Sequence, residues 1–521
     1  MTTRQNPYKS LISRRDILKT MAGTAGALSV GGRLFAQVAD SMPADVQIDL
    51  TPQHELSPYL FMQFMEPLGA TDSSVEAAWD HQQHAWRRDL VDVTRDMAPT
   101  LMRWGGCFSS YYRWKEAVGP RDQRKPMYNL LWGGIESNQI GTSEFVDFCR
   151  LTHADPLMCV NFESDGRRHW MKDPAGQSRF ADAEEAAEWV RYCNDPDNTL
   201  RISHGHPQPH PIKLWQIGNE TSYDRNGYNC ETAAAKTVEF AKAMRKADPD
   251  IVLIGWGDSG WASQMLEAAG EHLRYIAFHH MFDPDNSKKP VLRGELYRQD
   301  PDATWAQLMD AWKINDRKIH EIRNDLGSRI FPLAMTECHF TLPGRDRCDV
   351  MSTWATGAAY ARMFNNYQRH GDLLKIATAA DFCGNRWQVN AVMIPTPKSN
   401  GKSYLMPVAR VMKLYRHHIG QHAVKVETKN SDLDVVASLT GQTVYLHVVN
   451  TNRTKSVKAS VQVTGKPLRE ARMFAITEDT TAEVSQLNSD KIMQISDKVL
   501  SLDGVWEFPA ASVCAIEISF A

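Results

Sequence analysis

The chain has 521 residues, of which 42% are hydrophobic and 23% are charged, so it is globular and long enough for more than one core. A formal charge of -3 and an isoelectric point near 6.7 provide neither the basic surface that suits nucleic acid nor an acidic tail, so a neutral partner is favoured. The sequence contains no run of about 18 uninterrupted apolar residues, so we expect no membrane-spanning helix.

The first 40 residues have the order of an export signal. Arg14 and Arg15 precede a small, weakly apolar run at residues 21–30, and Ala36 and Ala39 follow. This order resembles a bacterial twin-arginine signal, although a polar helix start with a chance arginine pair is the alternative. We therefore predict that residues 1–40 direct export to the periplasm or the medium.

The nine cysteines are odd in number and include no Cys-x-x-Cys pair. This usage is not that of a disulfide framework or a zinc site, and we expect most of the thiols to be buried. A twin-arginine substrate folds in the reducing cytoplasm before export, so free thiols are compatible with an extracytoplasmic destination.

Residues 56–403 contain eight short apolar runs separated by segments with helical spacing. The runs are Tyr59–Met65, Leu101–Trp104, Leu157–Asn161, Ile212–Ile217, Ile251–Ile254, Tyr275–Phe278, Phe331–Met335 and Leu373–Ala377. The helical segments include Ser143–Thr152, Ala183–Tyr192, Ala233–Ala247, Trp305–Asn324 and Met351–Arg369. Eight strand–helix alternations indicate a (β/α)₈ TIM barrel, whose strands are buried on both sides. A doubly wound sheet is disfavoured because no glycine-rich phosphate turn follows the first strand.

The regions that flank the predicted barrel have a different pattern of apolar and polar residues. After a connecting helix within Tyr404–Ile419, short alternating strands separated by turn residues run to Ile518, which is typical of an antiparallel β-sandwich. Val46–Leu50 has the same alternation, so we predict that residues 41–55 add a strand to this sandwich. The predicted fold class is therefore α/β, with a barrel over 56–403 and a β-sandwich domain over 404–521.

Polar residues follow most of the predicted barrel strands. Because the carboxyl ends of parallel strands meet at one rim, these residues are expected to converge there. They are Glu66, Arg103, Trp104, Cys107, Asn161, Asn219, Glu220, His279, His280, Glu337 and His339.

Glu220 and Glu337 are the most informative of these residues. They follow strands 4 and 7, whose ends lie across a barrel mouth from each other. Two facing carboxylates are what glycoside cleavage requires, since one donates a proton and the other attacks or activates water. Sequence spacing does not give their separation, which would distinguish a retaining from an inverting enzyme.

The segment Trp215–Glu220 resembles the Asn-Glu motif on the fourth strand of retaining clan A glycosidases. More closely, the chain resembles the family 51 α-L-arabinofuranosidases from about Val46 to beyond Val392. The motifs that carry this resemblance are Leu56–Glu66, Arg103–Gly106, Trp114, Gly119–Pro120, Gly141–Phe145 and Val389–Asn390.

The resemblance implies a role for several residues. Glu220 would be the general acid/base and Glu337 the nucleophile. Asn219 would donate to the sugar 2-hydroxyl, and Glu66 would bind sugar hydroxyls. Arg103 is interpreted either as a group that keeps a carboxylate charged or as a structural ion pair.

Several positions depart from the family pattern. Cys107 replaces an asparagine that contacts the furanose, and Cys338–His339 replaces a Trp-Asn pair. After the sixth strand the family carries a tyrosine, but His279–Phe282 offers no hydroxyl. Trp387 stands in place of a sugar-binding glutamine. Single polar contacts to sugar hydroxyls decide specificity, so these departures predict a divergent substrate.

Aromatic and histidine side chains near the predicted strand ends are candidate sugar-binding groups. Trp104 and Trp387 are predicted to be stacking platforms because they lie near active-face strand ends, whereas core packing is preferred for other tryptophans. His279, His280 and His339 are interpreted as hydrogen-bonding residues rather than metal ligands, because glycoside cleavage needs no metal or other cofactor.

The sequence thus predicts a retaining glycosidase that acts on an oligo- or polysaccharide, most closely an α-L-arabinofuranosidase. An endo-acting β-glucanase-like enzyme and a non-catalytic carbohydrate-binding protein are the alternatives. Binding to nucleic acid or membranes is not expected. Family relatives often form oligomers, so a homo-oligomer is possible, but no residue pattern establishes one.

Overall fold

The computed structural model of the protein describes residues 44–285, 288–342 and 348–521. The predicted export signal lies outside these residues and stays a prediction. Residues 44–521 form one compact unit. Within the described ranges, no helix is both long and apolar enough to cross a bilayer.

Eight parallel strands form the central sheet, and each pairs with the next along the chain. Barrel strands 1 to 8 are Met62–Met65, Leu101–Trp104, Asp155–Val160, Leu214–Ile217, Val252–Trp256, Tyr275–Phe282, Leu333–Phe340 and Leu374–Ala377. The sheet ends meet where Gln63 of strand 1 donates to Thr378, which follows strand 8, at 3.4 Å. The predicted TIM barrel is confirmed, and its carboxyl ends share one rim.

Strands 6 and 7 are longer than the apolar runs that predicted them. Those runs end at Phe278 and Met335, but pairing continues to Phe282 and Phe340. In this extension His279 is opposite Glu337. Residues paired across neighbouring strands point to the same face of a sheet, so these two side chains are neighbours within the strands rather than on loops beyond them.

Helices cover the outside of the barrel. They are Ser74–Ala78, Arg88–Met97, Thr142–Thr152, Ala183–Asn194, Thr199–Ser203, Cys230–Ala247, Ala262–Ala269, Leu296–Gln299, Pro301–Asp310, Trp312–Asp325 and Trp354–Arg369, and Pro407–His417 connects to the β-rich region. The single helix predicted over Trp305–Asn324 is wrong, because two helices divide at Ala311. Pro58–Phe61 is a 3-10 turn capped by Ser57, so strand 1 begins later than predicted.

A nine-stranded sheet forms the β-rich region. Its spatial order is Ser496–Val499, Leu468–Ile476, Val513–Phe520, Thr443–Asn450, Leu433–Thr440, His422–Thr428, Val46–Glu55, Val457–Val463 and Val505–Phe508. Its inward side chains form a core of their own that includes Val46, Leu446 and Ile516. The sandwich expected after the barrel is confirmed, whereas the boundary at 403/404 stays a prediction.

Two small sheets bring further side chains to the site. The hairpin Met127–Tyr128 and Ile135–Glu136 carries Trp132 in its loop. The strands Asp381–Gly384, Asn390–Met393 and Tyr404–Leu405 follow barrel strand 8 and carry Trp387. The Trp132 and Trp387 rings meet edge to face with centroids 5.1 Å apart, which joins the two sheets.

Candidate active site

Arg103, on barrel strand 2, is the buried cation of the site. Its side chain is fully buried. Nε donates to Gln216 Oε1 at 3.0 Å, Nη1 to Glu337 Oε1 at 2.8 Å and Nη2 to Asn219 Oδ1 at 2.6 Å. A guanidinium is stable in a protein interior when acceptors satisfy its donors. Arg103 therefore fixes residues of strands 4 and 7 relative to strand 2.

The turn after strand 4 places Glu220 in the site. Gly218 has φ +79° and Glu220 has φ +52°. A Cβ on Gly218 would lie 2.7 Å from Thr221 Oγ1, which explains the glycine. Asp165 secures the turn by accepting from Asn219 N at 3.1 Å and Thr221 Oγ1 at 2.6 Å. The left-handed backbone at Glu220 is thus held by a buried carboxylate from the loop after strand 3.

His279 lies between the two candidate catalytic carboxylates. Its Nδ1 is 3.0 Å from Glu220 Oε1 and 3.6 Å from Glu337 Oε2, and its Nε2 is 2.9 Å from Thr336 Oγ1. One oxygen of each carboxylate lies within 4.8 Å of the other. This upper limit on the oxygen–oxygen distance favours the carboxyl spacing of about 5–5.5 Å in retaining glycosidases over the about 6.5–9.5 Å of inverting enzymes.

Cys107 contacts the predicted acid/base directly. Its thiol donates to Glu220 Oε2 at 3.3 Å, and both side chains are largely buried. Burial raises the pKa of Cys107 well above its usual value, and the Glu220 charge adds to this effect. Cys107 is therefore a neutral donor to Glu220.

Glu66 forms another part of the site wall. Its Oε1 accepts from Trp132 Nε1 at 3.1 Å and from Phe108 N at 3.4 Å. A Cβ on Gly106, which has φ +152°, would lie 2.2 Å from Glu66 Cδ. A glycine at position 106 is thus needed for the close approach of this backbone to Glu66.

The three carboxyl groups differ in their affinity for protons. Burial raises the pKa of Glu337, and the charges of His279 and Arg103 oppose the rise only in part. Burial also acts on Glu220, but the hydrogen bond and charge of His279, together with Cys107 and Arg167, lower its pKa. Burial and the Glu337 charge raise the pKa of Glu66 well above its usual value. In the free protein a proton therefore favours Glu337 or Glu66 over Glu220.

Two predicted sugar-binding residues serve the scaffold instead. Asn161 donates to Tyr112 O and Arg179 O and accepts from Ser164 N. These hydrogen bonds hold the loop after strand 3 in place. Trp104 is 1% exposed and packs against Phe108, Tyr112 and Phe145. The stacking platform predicted at Trp104 is corrected: alternation along strand 2 turns this ring into the core between strand and helix.

Trp387, His339 and His280 are the remaining predicted site residues. Trp387 is 4% exposed and reaches the site through Trp132, which bonds to Glu66. His339 Nε2 lies 3.4 Å from Asp381 Oδ1. His280 stacks on Phe282, on the face of strand 6 opposite to His279, and burial lowers its pKa to about 4. His280 is thus part of the packing around the barrel.

The polar segment Asp165–Trp170 follows barrel strand 3 and lies beside Glu220. In the structure Asp165, Arg167 and Trp170 are buried. Arg167 donates to the Glu220 backbone carbonyl, and its guanidinium lies over the Trp170 ring, 4.4 Å from the centroid. The segment is a structural support for Glu220, a role with no signal in the sequence.

A second supporting network was not foreseen. Tyr223 donates to Asp258 Oδ2 at 2.6 Å, and Lys318 donates to Asp258 Oδ1 at 2.6 Å. Asp258 also accepts from His279 N at 3.3 Å. Asp258 follows barrel strand 5, so the rule that polar residues after strands reach the rim would have identified it.

The fold and the site together define a class of protein. A (β/α)₈ barrel that presents an acid/base candidate after strand 4 and a nucleophile candidate on strand 7, at short separation, has the architecture of clan A glycoside hydrolases. Two family models match this chain. The model for the α-L-arabinofuranosidase 1 domain covers residues 93–298, and that for the α-L-arabinofuranosidase C-terminal domain covers residues 345–512. Together with the fold and the carboxylate pair, these two matches support a clan A glycoside hydrolase that resembles family 51.

Individual proteins agree with this assignment. A protein of Aspergillus flavus named probable α-L-arabinofuranosidase C is 33% identical over 188 residues, which are 35% of this chain and 34% of that protein. An intracellular exo-α-(1->5)-L-arabinofuranosidase of Halalkalibacterium halodurans is 31% identical over 215 residues, which are 38% of this chain and 40% of the relative. The matched segments thus span less than half the length of these relatives.

A solved structure gives the same fold over more of the chain. The α-L-arabinofuranosidase of Thermotoga maritima, in complex with arabinose, is similar with a TM-score of 0.70 and 22% identity. The match covers 92% of this chain and 100% of that structure. At this identity the similarity establishes the fold, a TIM barrel with a β-sandwich.

Proposed function

We propose that the protein is a retaining exo-glycosidase that releases terminal α-L-arabinofuranosyl, or related furanosyl, groups from an oligo- or polysaccharide. The observation that carries the proposal is the approach of Glu220 and Glu337 to within 4.8 Å. Their exposures are only 8% and 5%, which suits a closed pocket for a terminal sugar better than an open cleft. The arabinofuranosidase family models support the choice of sugar.

The geometry supports a double displacement in which Glu337 is the nucleophile and Glu220 the general acid/base. Arg103 holds Oε1 of Glu337, so Oε2 is the oxygen that attacks the anomeric carbon. As this bond forms, the bond to the leaving oxygen breaks and Glu220 gives that oxygen a proton. Water then attacks the glycosyl ester, Glu220 takes the water proton, and Glu337 leaves as a carboxylate.

The charge and tautomer of His279 govern how firmly Glu220 holds the proton that the first step needs. A doubly protonated His279 donates to Glu220 and favours its ionised form. A neutral His279 whose Nε2 proton is donated to Thr336 presents a bare Nδ1 to Glu220, 3.0 Å away. In that tautomer the hydrogen bond requires a protonated Glu220, while Arg103 continues to favour ionised Glu337.

Two further side chains are placed to bind the sugar. Asn219 Oδ1 is held by Arg103, and its buried Nδ2 has no partner within the residues that the structure describes. A buried amide nitrogen without an acceptor is unfavourable, so a sugar hydroxyl at this position would be stabilising. Glu66, whose pKa is raised, can exchange hydrogen bonds with a second hydroxyl.

The test is a screen of aryl furanosides and pyranosides with wild type, Glu220→Gln and Glu337→Gln. Removing either carboxylate is expected to lower kcat/KM on the best substrate at least about 100-fold. Glu163→Gln is the matched control, because Glu163 is also buried but is paired with Lys236 outside the carboxylate pair. Full activity in both site variants would reject the assignment. A wild type that binds sugars without cleaving any would favour a non-catalytic binding protein.

Export and assembly are further proposals. The arginine pair at residues 14–15 supports export by a twin-arginine route, whereas the H. halodurans relative is named an intracellular enzyme. Fractionation of cells that express the wild type and an Arg14→Lys/Arg15→Lys variant distinguishes these destinations. Light scattering of the purified protein gives its oligomeric state.

A further inference from the structure

Two histidines and an aspartate meet on the outer helix layer of the barrel. Asp316 and His320 lie on the helix Trp312–Asp325, and His370 directly follows the helix Trp354–Arg369. His370 Nε2 is 2.7 Å from Asp316 Oδ1, and His320 Nε2 is 3.7 Å from Asp316 Oδ2. One ligand atom of each residue lies within 4.8 Å of the other two.

The helices fix this arrangement. Asp316 and His320 are four residues apart, so their side chains lie on the same helix face one turn apart. His370 caps the neighbouring helix, and its backbone N–H donates to Asn366 O at 3.1 Å. The His320 and His370 rings meet edge to face with centroids 5.0 Å apart. The cluster thus joins two adjacent barrel helices.

We propose that Asp316, His320 and His370 bind a divalent transition metal ion of the zinc type. Two imidazole nitrogens and one carboxylate oxygen are a usual ligand set for Zn²⁺, and water completes the tetrahedron. Asp316 and His320 are partly exposed, so the ion and its water have access from solvent. Mg²⁺ and Ca²⁺ prefer oxygen ligands and should bind poorly.

Metal–nitrogen and metal–oxygen bonds of about 2.0–2.2 Å place neighbouring ligand atoms of a tetrahedron about 3.3–3.6 Å apart. The His370–Asp316 distance must therefore open slightly as the ion enters, and His320 must close in. The His320 side chain is 57% exposed and can rotate to do so. The rearrangement is confined to side chains.

Arg323 is a positively charged side chain beside the proposed metal site. Its Nη1 lies 3.4 Å from His370 Nδ1, while Nη1 and Nη2 bond to Asp372 at 2.9 and 2.8 Å. With the ion on Nε2, the His370 proton moves to Nδ1 and the long contact to Arg323 is lost. The two bonds to Asp372 remain and neutralise the guanidinium, so the positive charge opposes the ion only weakly.

Glu220, His279 and Glu337 in the active site also have possible ligand atoms within 4.8 Å of one another. There, however, the buried Arg103 guanidinium donates to Glu337 at 2.8 Å and occupies one of the carboxylate oxygens. A buried cation so close to the ligands disfavours a second one. The helix-layer cluster is therefore the better metal site.

The experiment is calorimetric titration of tag-free, chelator-treated protein with ZnCl₂ and, separately, with MgCl₂. Wild type is expected to bind one Zn²⁺ and no Mg²⁺, and saturating Zn²⁺ should raise Tm by roughly 2 °C. His320→Ala, a change at an exposed side chain, should weaken Zn²⁺ binding at least tenfold and abolish the Tm rise. Asp316→Asn should do the same.

His81→Ala is the matched control, since His81 Nε2 also lies near a carboxylate oxygen, 3.0 Å from Glu76, but belongs to no group of three possible metal ligands among the residues that the structure describes. It should leave Zn²⁺ binding unchanged. The proposal is overturned if wild type takes up no Zn²⁺, if both cluster variants bind as wild type does, or if His279→Gln rather than His320→Ala removes the site.

Discussion

His279 Nδ1 lies 3.0 Å from Glu220 Oε1 and 3.6 Å from Glu337 Oε2. One imidazole thus couples the two carboxyl groups that the proposed reaction must keep in opposite protonation states. The coupling makes the pH dependence of the reaction the most sensitive indicator of how the site works.

Replacing His279 with glutamine should move the pH profile of kcat/KM to higher pH. The charge of His279 lowers the pKa of both Glu220 and Glu337. Without this charge, Glu337 stays protonated to a higher pH, so the acidic limb of the profile shifts to higher pH. Glu220 also keeps its proton to a higher pH, so the basic limb shifts in the same direction.

The control is His280→Gln, because His280 stacks on Phe282 away from the carboxylates. Its profile should coincide with that of wild type. A His279→Gln profile with unmoved limbs would show that the imidazole does not set these pKa values.

Arg103→Lys should lower kcat/KM about 100-fold and cost about 3 kcal/mol of unfolding free energy. Lysine keeps the charge but cannot bond Gln216, Asn219 and Glu337 at once. Arg113→Lys is the control for replacing any paired arginine with lysine, since Arg113 donates two hydrogen bonds to Glu185 outside the site. Urea unfolding and steady-state kinetics measure both effects, and equal losses in the two variants would argue against a special role for Arg103.

Cys107→Ala should shift the basic limb of the pH profile to higher pH, by a smaller amount than His279→Gln does. The thiol lowers the pKa of Glu220 through its hydrogen bond, and this contribution follows that of His279 in size. Cys107→Ser keeps a donor and should leave the limb near its wild-type position. Cys193→Ala, a buried thiol elsewhere, is the control. Identical limbs in the alanine and serine variants would mean that the hydrogen bond has no effect on Glu220.

Asp72 should make the protein less stable as pH rises from about 4 to 6. Its carboxylate accepts from Asn385 N, Arg386 N and Asn390 Nδ2, and these bonds hold the loop that carries Trp387. Burial nevertheless raises its pKa from 3.8 to about 6. The folded state therefore binds a proton that the unfolded state releases, which corresponds to about 2 kcal/mol of unfolding free energy lost between pH 4 and 7.

Asp72→Asn removes this titration. The unfolding free energy of wild type minus that of the variant should thus fall by about that amount over the same pH range. Denaturant unfolding at pH 4 and pH 7 measures the difference, and a value independent of pH would contradict the raised pKa.

The barrel and its carboxylate pair were readable from the sequence because buried parallel strands leave long apolar runs that end in polar residues. The extension of strands 6 and 7 was not readable, because inward-facing His279 and Thr336 interrupt the apolar pattern. The sequence pattern around Trp104, at the end of strand 2, is the same whether its ring faces the rim or the helices. The supports from Asp165 and Arg167 depend on contacts more than 50 residues apart along the chain. No local pattern encodes such contacts.

The stereochemistry of the first product tests the central proposal most directly. An aryl α-L-arabinofuranoside, or the best furanoside in the substrate screen, is hydrolysed in an NMR tube and the anomeric protons are followed before mutarotation. Since Glu337 and Glu220 lie within 4.8 Å, the released sugar should first appear with the anomeric configuration of the substrate. A first product of inverted configuration would contradict Glu337 as the nucleophile.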